Sequence, residues 1–257
     1  MKQVVKNIGI VLSVFVVVIV TSMVLSKNKV VESVEKHLSS NNVQYNFLSY
    51  YNEMIKNDMN CSMYNLDIHS FDELEANSDY IVRVKTLEQS YTISNFVNKL
   101  EVLESYKGNI NQKEIYVFHP GIISESPNYV RITLPQTWLL PMKMNEEYIL
   151  YLNKEETYGN DDLFQYTTIP YSIIPIRFTI QIGVLDNQTK ATVTLNQDHI
   201  KDIDICFPLK KTAINHKGEE IDISFVKQNY LSIINQSYHK YLQSQAIYNE
   251  TVYEDES

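Results

Sequence analysis

Between Lys6 and Lys27 the chain carries no charge for twenty residues, and from Ile8 to Leu25 it reads IGIVLSVFVVVIVTSMVL. At about 1.5 Å of rise per helical residue such a run spans roughly 30 Å, the depth of a bilayer's hydrocarbon core. β-Branched residues are poor helix formers in water, so a run this rich in valine fits lipid better than a soluble core. The pattern predicts one transmembrane helix acting as a signal-anchor over residues 1–26, with Lys2 and Lys6 on the inner side and the bulk of the chain extracytoplasmic. The alternative is secretion after signal cleavage near Ser26. The length of the apolar run and the lack of an Ala-x-Ala site favour retention.

Beyond the anchor the periodicity turns amphipathic. Val30, Val31, Val34 and Leu38 recur at helical spacing, and after Asn41-Asn42 a second stripe runs through Phe47, Tyr51, Met54, Ile55 and Met59. These stripes predict a helical stalk over 27–69. Ser70-Phe-Asp-Glu73 has the spacing of a capping box, in which the serine oxygen and the glutamate carboxylate satisfy backbone donors at a helix start, so a short helix is expected over 71–76.

The period then changes to two. Tyr80, Val82 and Val84 alternate with Arg83 and Lys85, and a second run over 91–105 closes at Lys107-Gly108-Asn109, where glycine supplies positive φ. Glu114–His119 reads as a third strand ending at Pro120-Gly121. Tyr148–Leu152 is apolar throughout and reads as a strand buried on both faces. Further strands are expected within 166–182, 190–195, 202–208 and 219–226. From Lys227 to Tyr248 the residues Leu231, Ile234, Tyr238, Tyr241, Leu242 and Gln245 share one helical face, which predicts a C-terminal amphipathic helix followed by a frayed acidic tail. The expected organisation is therefore an anchor, a stalk, a β-rich domain over 70–226 and a helix with tail over 227–257.

Composition narrows the chemistry. The chain has 257 residues, 44% hydrophobic and 21% charged, with only six glycines, and the two closest, Gly108 and Gly121, are too far apart for a phosphate-cradling loop. The net charge is −9 overall; past residue 25 the chain carries 20 basic against 31 acidic side chains, a net of −11. A nucleic-acid binder needs a basic face, and arginine occurs only at Arg83, Arg131 and Arg177, so nucleic acid is excluded as a partner.

The run from Ser70 to Asn153 resembles a recurring module of secreted and membrane-tethered proteins of Gram-positive bacteria. The resemblance lies in Ser78-Asp79-Tyr-Ile-Val-Arg-Val84, Lys99-Leu-Glu-Val-Leu-Glu-Ser-Tyr-Lys-Gly108, Ile115-Tyr-Val-Phe118 with Pro120-Gly121, and Asn145-Glu-Glu-Tyr-Ile-Leu-Tyr-Leu152. It implies a small barrel of OB-like or netrin/TIMP-like type at the cell envelope. Ile122 stands where a second glycine is usual, and Asn111-Gln112-Lys113-Glu114 replaces the usual Gly-Asp. No cysteine opens the body, so the metal-chelating amino terminus of TIMP-like inhibitors has no counterpart, and the resemblance carries no site residues.

Candidate chemistry is sparse. The six histidines, His37, His69, His119, His199, His216 and His239, have no ligand partner at His-x3-His or Glu-x-x-His spacing. Asp67, His69 and Asp72 lie close together before the capped helix, and Glu155, Glu156, Asp161 and Asp162 form an acidic loop without EF-hand spacing; both read as solvated loops. His119 ends a strand and is the one catalytic candidate for an envelope hydrolase, although no nucleophile motif accompanies it. Cys61 and Cys206 are the only cysteines, and in an oxidising exterior they could bridge stalk and body. Nineteen tyrosines, among them Tyr50, Tyr51, Tyr148, Tyr151, Tyr238 and Tyr241, read as core and surface filler. The combined expectation is an α+β protein with a small antiparallel OB-like or netrin-like barrel carrying added strands. Its expected role is a non-enzymatic, membrane-anchored binding or assembly module with a protein or envelope partner and no cofactor or metal. The alternatives are the hydrolase centred on His119 and an immunity or stress-adaptor protein acting in the membrane plane.

Overall fold

A computed structural model describes residues 43–48, 68–91, 95–126, 129–134, 140–154, 161–169, 171–186, 192–208, 212–214 and 220–254. The apolar run at 8–25 and most of the expected stalk lie outside these residues. Among the described residues no helix is long and apolar enough to cross a membrane.

Alternation along Tyr80–Lys107 builds the first part of a barrel. Strand β2 (Tyr80–Tyr91) pairs antiparallel with β3 (Asn95–Lys107) along its length, and through 80–85 it also pairs antiparallel with β7 (Glu147–Lys154). Three register shifts along β2 bend it, as bulges do, so one long strand can serve both neighbours. Strand β4 (Glu114–Pro120) follows β3, and β8 (Leu163–Tyr166) pairs parallel with β4 and antiparallel with β7. The circuit β2-β3-β4-β8-β7-β2 is a closed five-stranded barrel, to which β9 (Ile173–Pro175) adds on β7. The expectation of a wholly antiparallel barrel needs correction. β4 and β8 run parallel because the long connection after β4 returns β7 beside β2 and leaves β8 to close the remaining gap.

Inward positions follow the pleat: Val82 and Val84 on β2, Leu100 on β3, Ile115 and Val117 on β4, and Leu150 and Leu152 on β7 are all buried. β7 is buried on its outer face too. Tyr151 packs edge-on against Phe71 of α1 (Phe71–Asn77) and shares a 2.7 Å hydrogen bond with Ser237 of α3 (Ile223–Ser237). The capping box sets α1: Ser70 Oγ accepts from Glu73 N–H at 3.2 Å, while the Glu73 carboxylate reaches one residue further back and accepts from His69 N–H at 2.7 Å. Gly108 has φ 71, and an added Cβ would meet the Asp79 carbonyl at 2.6 Å and the Tyr80 ring at 2.5 Å, so this turn admits glycine on two counts.

Outside the barrel, β10 (Ile180–Asp186) lies between β12 (Ile205–Pro208) and β15 (Tyr248–Glu254), and both pairings are parallel. Parallel strands commonly bury both faces, and β10 and β12 do so between two cores. Ile180, Ile182, Val184, Ile205 and Phe207 join the core shared with α3 and the barrel, while Leu185 and Cys206 join a second core with Ile200, Ile203 and Leu195. Gly183 allows that second contact, because an added Cβ would stand 2.9 Å from Ile203 Cδ1. The second core is closed by a sheet of order β11-β1-β6-β5, formed by β1 (Val43–Leu48), β5 (Ile122–Ser126), β6 (Tyr129–Leu134) and β11 (Thr192–Asn196), with the short helix α2 (Gln197–Ile200) beside it. A hairpin of β13 (Thr212–Ile214) and β14 (Glu220–Asp222) precedes α3.

Three local expectations change. Residues 43–48, expected within a helical stalk, form a strand because their backbone pairs with β6 and β11. The expected strand at 219–226 stops at Asp222, whose carboxylate caps α3 by accepting from Ser224 N–H at 2.8 Å. The C-terminal helix runs on through a π turn at Tyr238–Leu242 and ends at Gln243, whose φ is 51. Residues 248–254, expected as helix end and frayed tail, form β15.

Candidate functional site

Three regions hold the chemistry that the sequence singled out. The first is one end of the barrel. By pleat and register, Thr86 and Gln89 on β2, Asn98 on β3, His119 on β4 and Tyr166 on β8 share the interior face. Thr86, Asn98, His119 and Tyr166 are each 0% exposed. Gln89 Nε2 donates to Asn98 Oδ1 at 2.9 Å and to the Met142 carbonyl at 2.6 Å, so Met142 plugs this end. Among the described residues Thr86 Oγ1 and Asn98 Nδ2 have no hydrogen-bond partner. His119 stands edge-on to the Tyr166 ring at 5.8 Å, with Nδ1 3.4 Å from the phenol oxygen. Burial raises the Tyr166 pKa well above its ordinary value. His119 is thus walled in by the barrel and faces a neutral phenol.

The second region joins the barrel to the parallel sheet. Asp204, whose side chain is 3% exposed, accepts on one oxygen from Lys143 Nζ at 2.9 Å and Arg177 Nε at 3.2 Å. Its other oxygen accepts from Gln181 N–H at 2.9 Å. Arg177 also donates to Glu146 at 2.9 Å and to the Tyr148 hydroxyl at 3.3 Å, and its guanidinium stands 5.4 Å from the Tyr148 ring centre. Burial pushes the Tyr148 phenol up to about 12, against the opposing pull of the Lys143 N–H and Arg177. Tyr238 locks the linker by donating to the Pro175 carbonyl at 2.7 Å and accepting from Arg177 N–H at 2.9 Å.

Around this node the surface turns apolar. Phe178, next in the chain to Arg177, is 90% exposed. Ile247, whose carbonyl accepts from Ile180 N–H at 2.8 Å, is 50% exposed, and Met144, two residues from the Arg177 partner Glu146, is 45% exposed. Through Arg177, Ile180 and Glu146 these three positions are each tied by the chain or by a hydrogen bond to the node or its neighbours.

The third region lies where α1 meets the end of α3. Phe71, Asp72, Asn235, Gln236, His239 and Lys240 line a shallow groove of about 460 Å³. Beside it Glu75 accepts from Lys240 Nζ at 2.5 and 2.7 Å and from the Tyr241 hydroxyl at 2.6 Å. Burial alone would raise the Glu75 pKa, but these bonds pull it below 4.5. Lys107 Nζ reaches the carbonyl of Glu75 at 2.6 Å and so neutralises the C-terminal end of α1.

The expected candidates are placed as follows. His69 packs its ring against Phe225 at 5.8 Å and Asp72 lines the groove; Asp67 lies outside the described residues. Of the acidic loop, Asp161 pairs with Lys154 at 2.5 Å and the Asp162 carbonyl accepts from Tyr116 N–H at 2.8 Å, while Glu155 and Glu156 lie outside the described residues. Among the described residues no three His, Cys, Asp or Glu side chains are grouped to hold a metal ion. Cys206 is buried on β12 with a free thiol, and burial pushes its pKa up; its expected partner Cys61 lies outside the described residues. Tyr148, Tyr151 and Tyr238 are core residues with hydrogen-bonded hydroxyls, and Tyr50 and Tyr51 lie outside the described residues. Sequence reasoning passed over Arg177, Asp204 and Phe178, which no motif marks. Arg177 did stand out as one of only three arginines. No protein-family profile matches the chain, and no curated protein matches it.

Proposed function

We propose that the chain is a non-enzymatic recognition and assembly module held at the cell envelope by its apolar run at 8–25, with its body extracytoplasmic. The barrel is read as OB-like, because its first strand lies between the second and the fourth and its third strand runs parallel to the fifth. The observation that carries the recognition reading is Phe178, an aromatic ring 90% exposed on a linker that the Arg177–Asp204 node holds still. Large aromatics are favoured anchors of protein interfaces, and one carried on a backbone that is already held costs less ordering on binding. The partner is a protein that covers Phe178, Ile247 and Met144.

A photoreactive amino acid placed at position 178 in the intact membrane should give a protein adduct. The same probe at exposed Asp198, on α2, should give none. Equal labelling at both positions, or none at 178, defeats the reading. Fractionation tests the tether directly: a chain found in the medium without residues 1–26 would show that the anchor is removed.

A further inference from the structure

The parallel sheet ends on β15, and one side of that strand is open. Tyr248–Glu254 pairs with β10 over seven consecutive positions, with no bulge, and no strand pairs with its other edge among the described residues. Asn249, Glu250, Thr251 and Val252 are exposed, Val252 by 59%. Natural edge strands are kept short or carry proline, lysine or a bulge, since a bare row of N–H and C=O groups is a template for another strand. β15 is seven residues long with no proline, lysine or bulge, and the charges it carries, Glu250 and Glu254, guard the edge against an acidic strand but not against a basic one.

We propose that β15 is a strand-addition site that takes an extended, basic segment of a partner protein. The biological setting rests on the recognition reading above; the edge itself is independent of it. Main-chain hydrogen bonds would supply affinity, and side chains alternating along the added strand would supply selectivity. The selectivity is electrostatic. Residues 248–257 contain Glu250, Glu254, Asp255 and Glu256 and no basic residue, within a body of net charge −11. Lys227 reaches Glu250 at 2.6 Å from α3, and the sequence 248–257 offers no basic residue to offset Glu254, Asp255 and Glu256. Glu250 and Val252 share one face of β15 by the two-residue period, so an incoming strand with lysine or arginine at alternate positions sets its basic face beside both and its apolar residues on the other face, beside Thr251 and Tyr253. A second copy of β15 would set acid against acid, which is unfavourable across a strand pair.

The test uses the full chain in mild detergent and a labelled seven-residue peptide alternating lysine and valine. Its controls are the glutamate-valine counterpart and the lysine-valine peptide N-methylated at alternate residues, which removes its donors. The basic peptide should bind at least about tenfold more tightly than the acidic one, and the methylated one should not bind. Hydrogen exchange should slow at 248–254 when the basic peptide is bound. Val252→Lys should weaken binding about tenfold while exchange in 180–186 stays unchanged, which shows β10 and β15 still paired. Absence of binding, equal binding of both charges, binding of the methylated peptide, or protection away from β15 overturns the proposal. A concentration-dependent dimer abolished by Val252→Lys overturns it as well, by assigning the edge to a second copy. Adducts at position 178 without peptide protection of β15 remove strand addition and leave the recognition reading standing; the converse removes that reading alone.

Discussion

The node at Arg177 and Asp204 and the polar end of the barrel bury similar groups with opposite bookkeeping. At the node the Asp204 carboxylate accepts from Lys143, Arg177 and Gln181, and Arg177 spreads its remaining donors over Glu146, the Ile176 carbonyl and Tyr148. At the barrel end Gln89 is bonded twice, but Thr86 Oγ1 and Asn98 Nδ2 meet no partner among the described residues. A buried polar group stabilises a fold only where its lost hydration is replaced. The node therefore ties the barrel to the parallel sheet, whereas the barrel end holds polar atoms that weaken it. Substitutions that remove polar groups should act in opposite directions in the two places.

The largest effect is expected at Asp204→Ala. It leaves two cations facing a buried gap, and removal of one partner from a buried pair costs about 3 kcal/mol or more, read as a lower urea midpoint. A loss under about 1 kcal/mol would put the node's stability elsewhere. Tyr148→Phe should cost about 1 kcal/mol by deleting the acceptor for Lys143 N–H and Arg177. It should also change the alkaline limb. In the unfolded chain this phenol loses its proton near 10, but in the folded protein only near about 12, so the folded state favours the protonated form. That stabilisation is complete below pH 10 and is lost as pH rises through 12, and because other buried phenols shift the same way the variant should show a shallower fall in a pH series of denaturation midpoints.

At the barrel end the sign reverses. Thr86→Val removes a hydroxyl without a partner and keeps the shape, so it should be neutral or stabilising by up to about 1 kcal/mol. A clear destabilisation by this change would mean that the hydroxyl is satisfied and that the contrast fails. The smallest effect on stability is expected at Phe178→Ala, within about 0.5 kcal/mol, because the ring touches little of its own chain. Adduct formation by a photoreactive residue at nearby Ile247 should nevertheless fall in this variant. Adducts that persist undiminished would show that the ring is not an anchor.

Much of the barrel could be read from period two. Tyr80–Val84 states which side chains face inward, Glu114–His119 and Tyr148–Leu152 mark strands, and Ser70 with Glu73 states where α1 begins, because these signals lie within a few residues of one another. The second layer was less legible. β1 reads Val-Gln-Tyr-Asn-Phe-Leu, but its partners β6 and β11 are distant in sequence, and the neighbouring apolar residues suit a helical period as well. On α3 the sequence stripe was placed through Leu231, Ile234 and Tyr238, whereas the buried line runs through Val226, Tyr230, Ile233 and Ser237 as well. Tyr230 is fully buried because Ile173 of β9 accepts its hydroxyl hydrogen bond, a contact invisible in a helical pattern alone. His119 was legible as a strand-end side chain, but its burial against Tyr166 was not. Phe178 carries no sequence signal, since a single phenylalanine reads as core until its surroundings are known.

The sequence by itself determined the charge balance, the glycine shortage that excludes phosphate loops, the helix cap at Ser70 and the inward face of β2. Each of these depends on residue types or on neighbours within one turn or one pleat. Only the tertiary structure decided that β8 closes the barrel in parallel, that β15 is the last strand of its sheet among the described residues, and that Arg177 meets Asp204. Those outcomes depend on which distant segments pair. Backbone hydrogen bonding is the same for every strand, so the choice is made by the total fit of buried side chains across the whole chain.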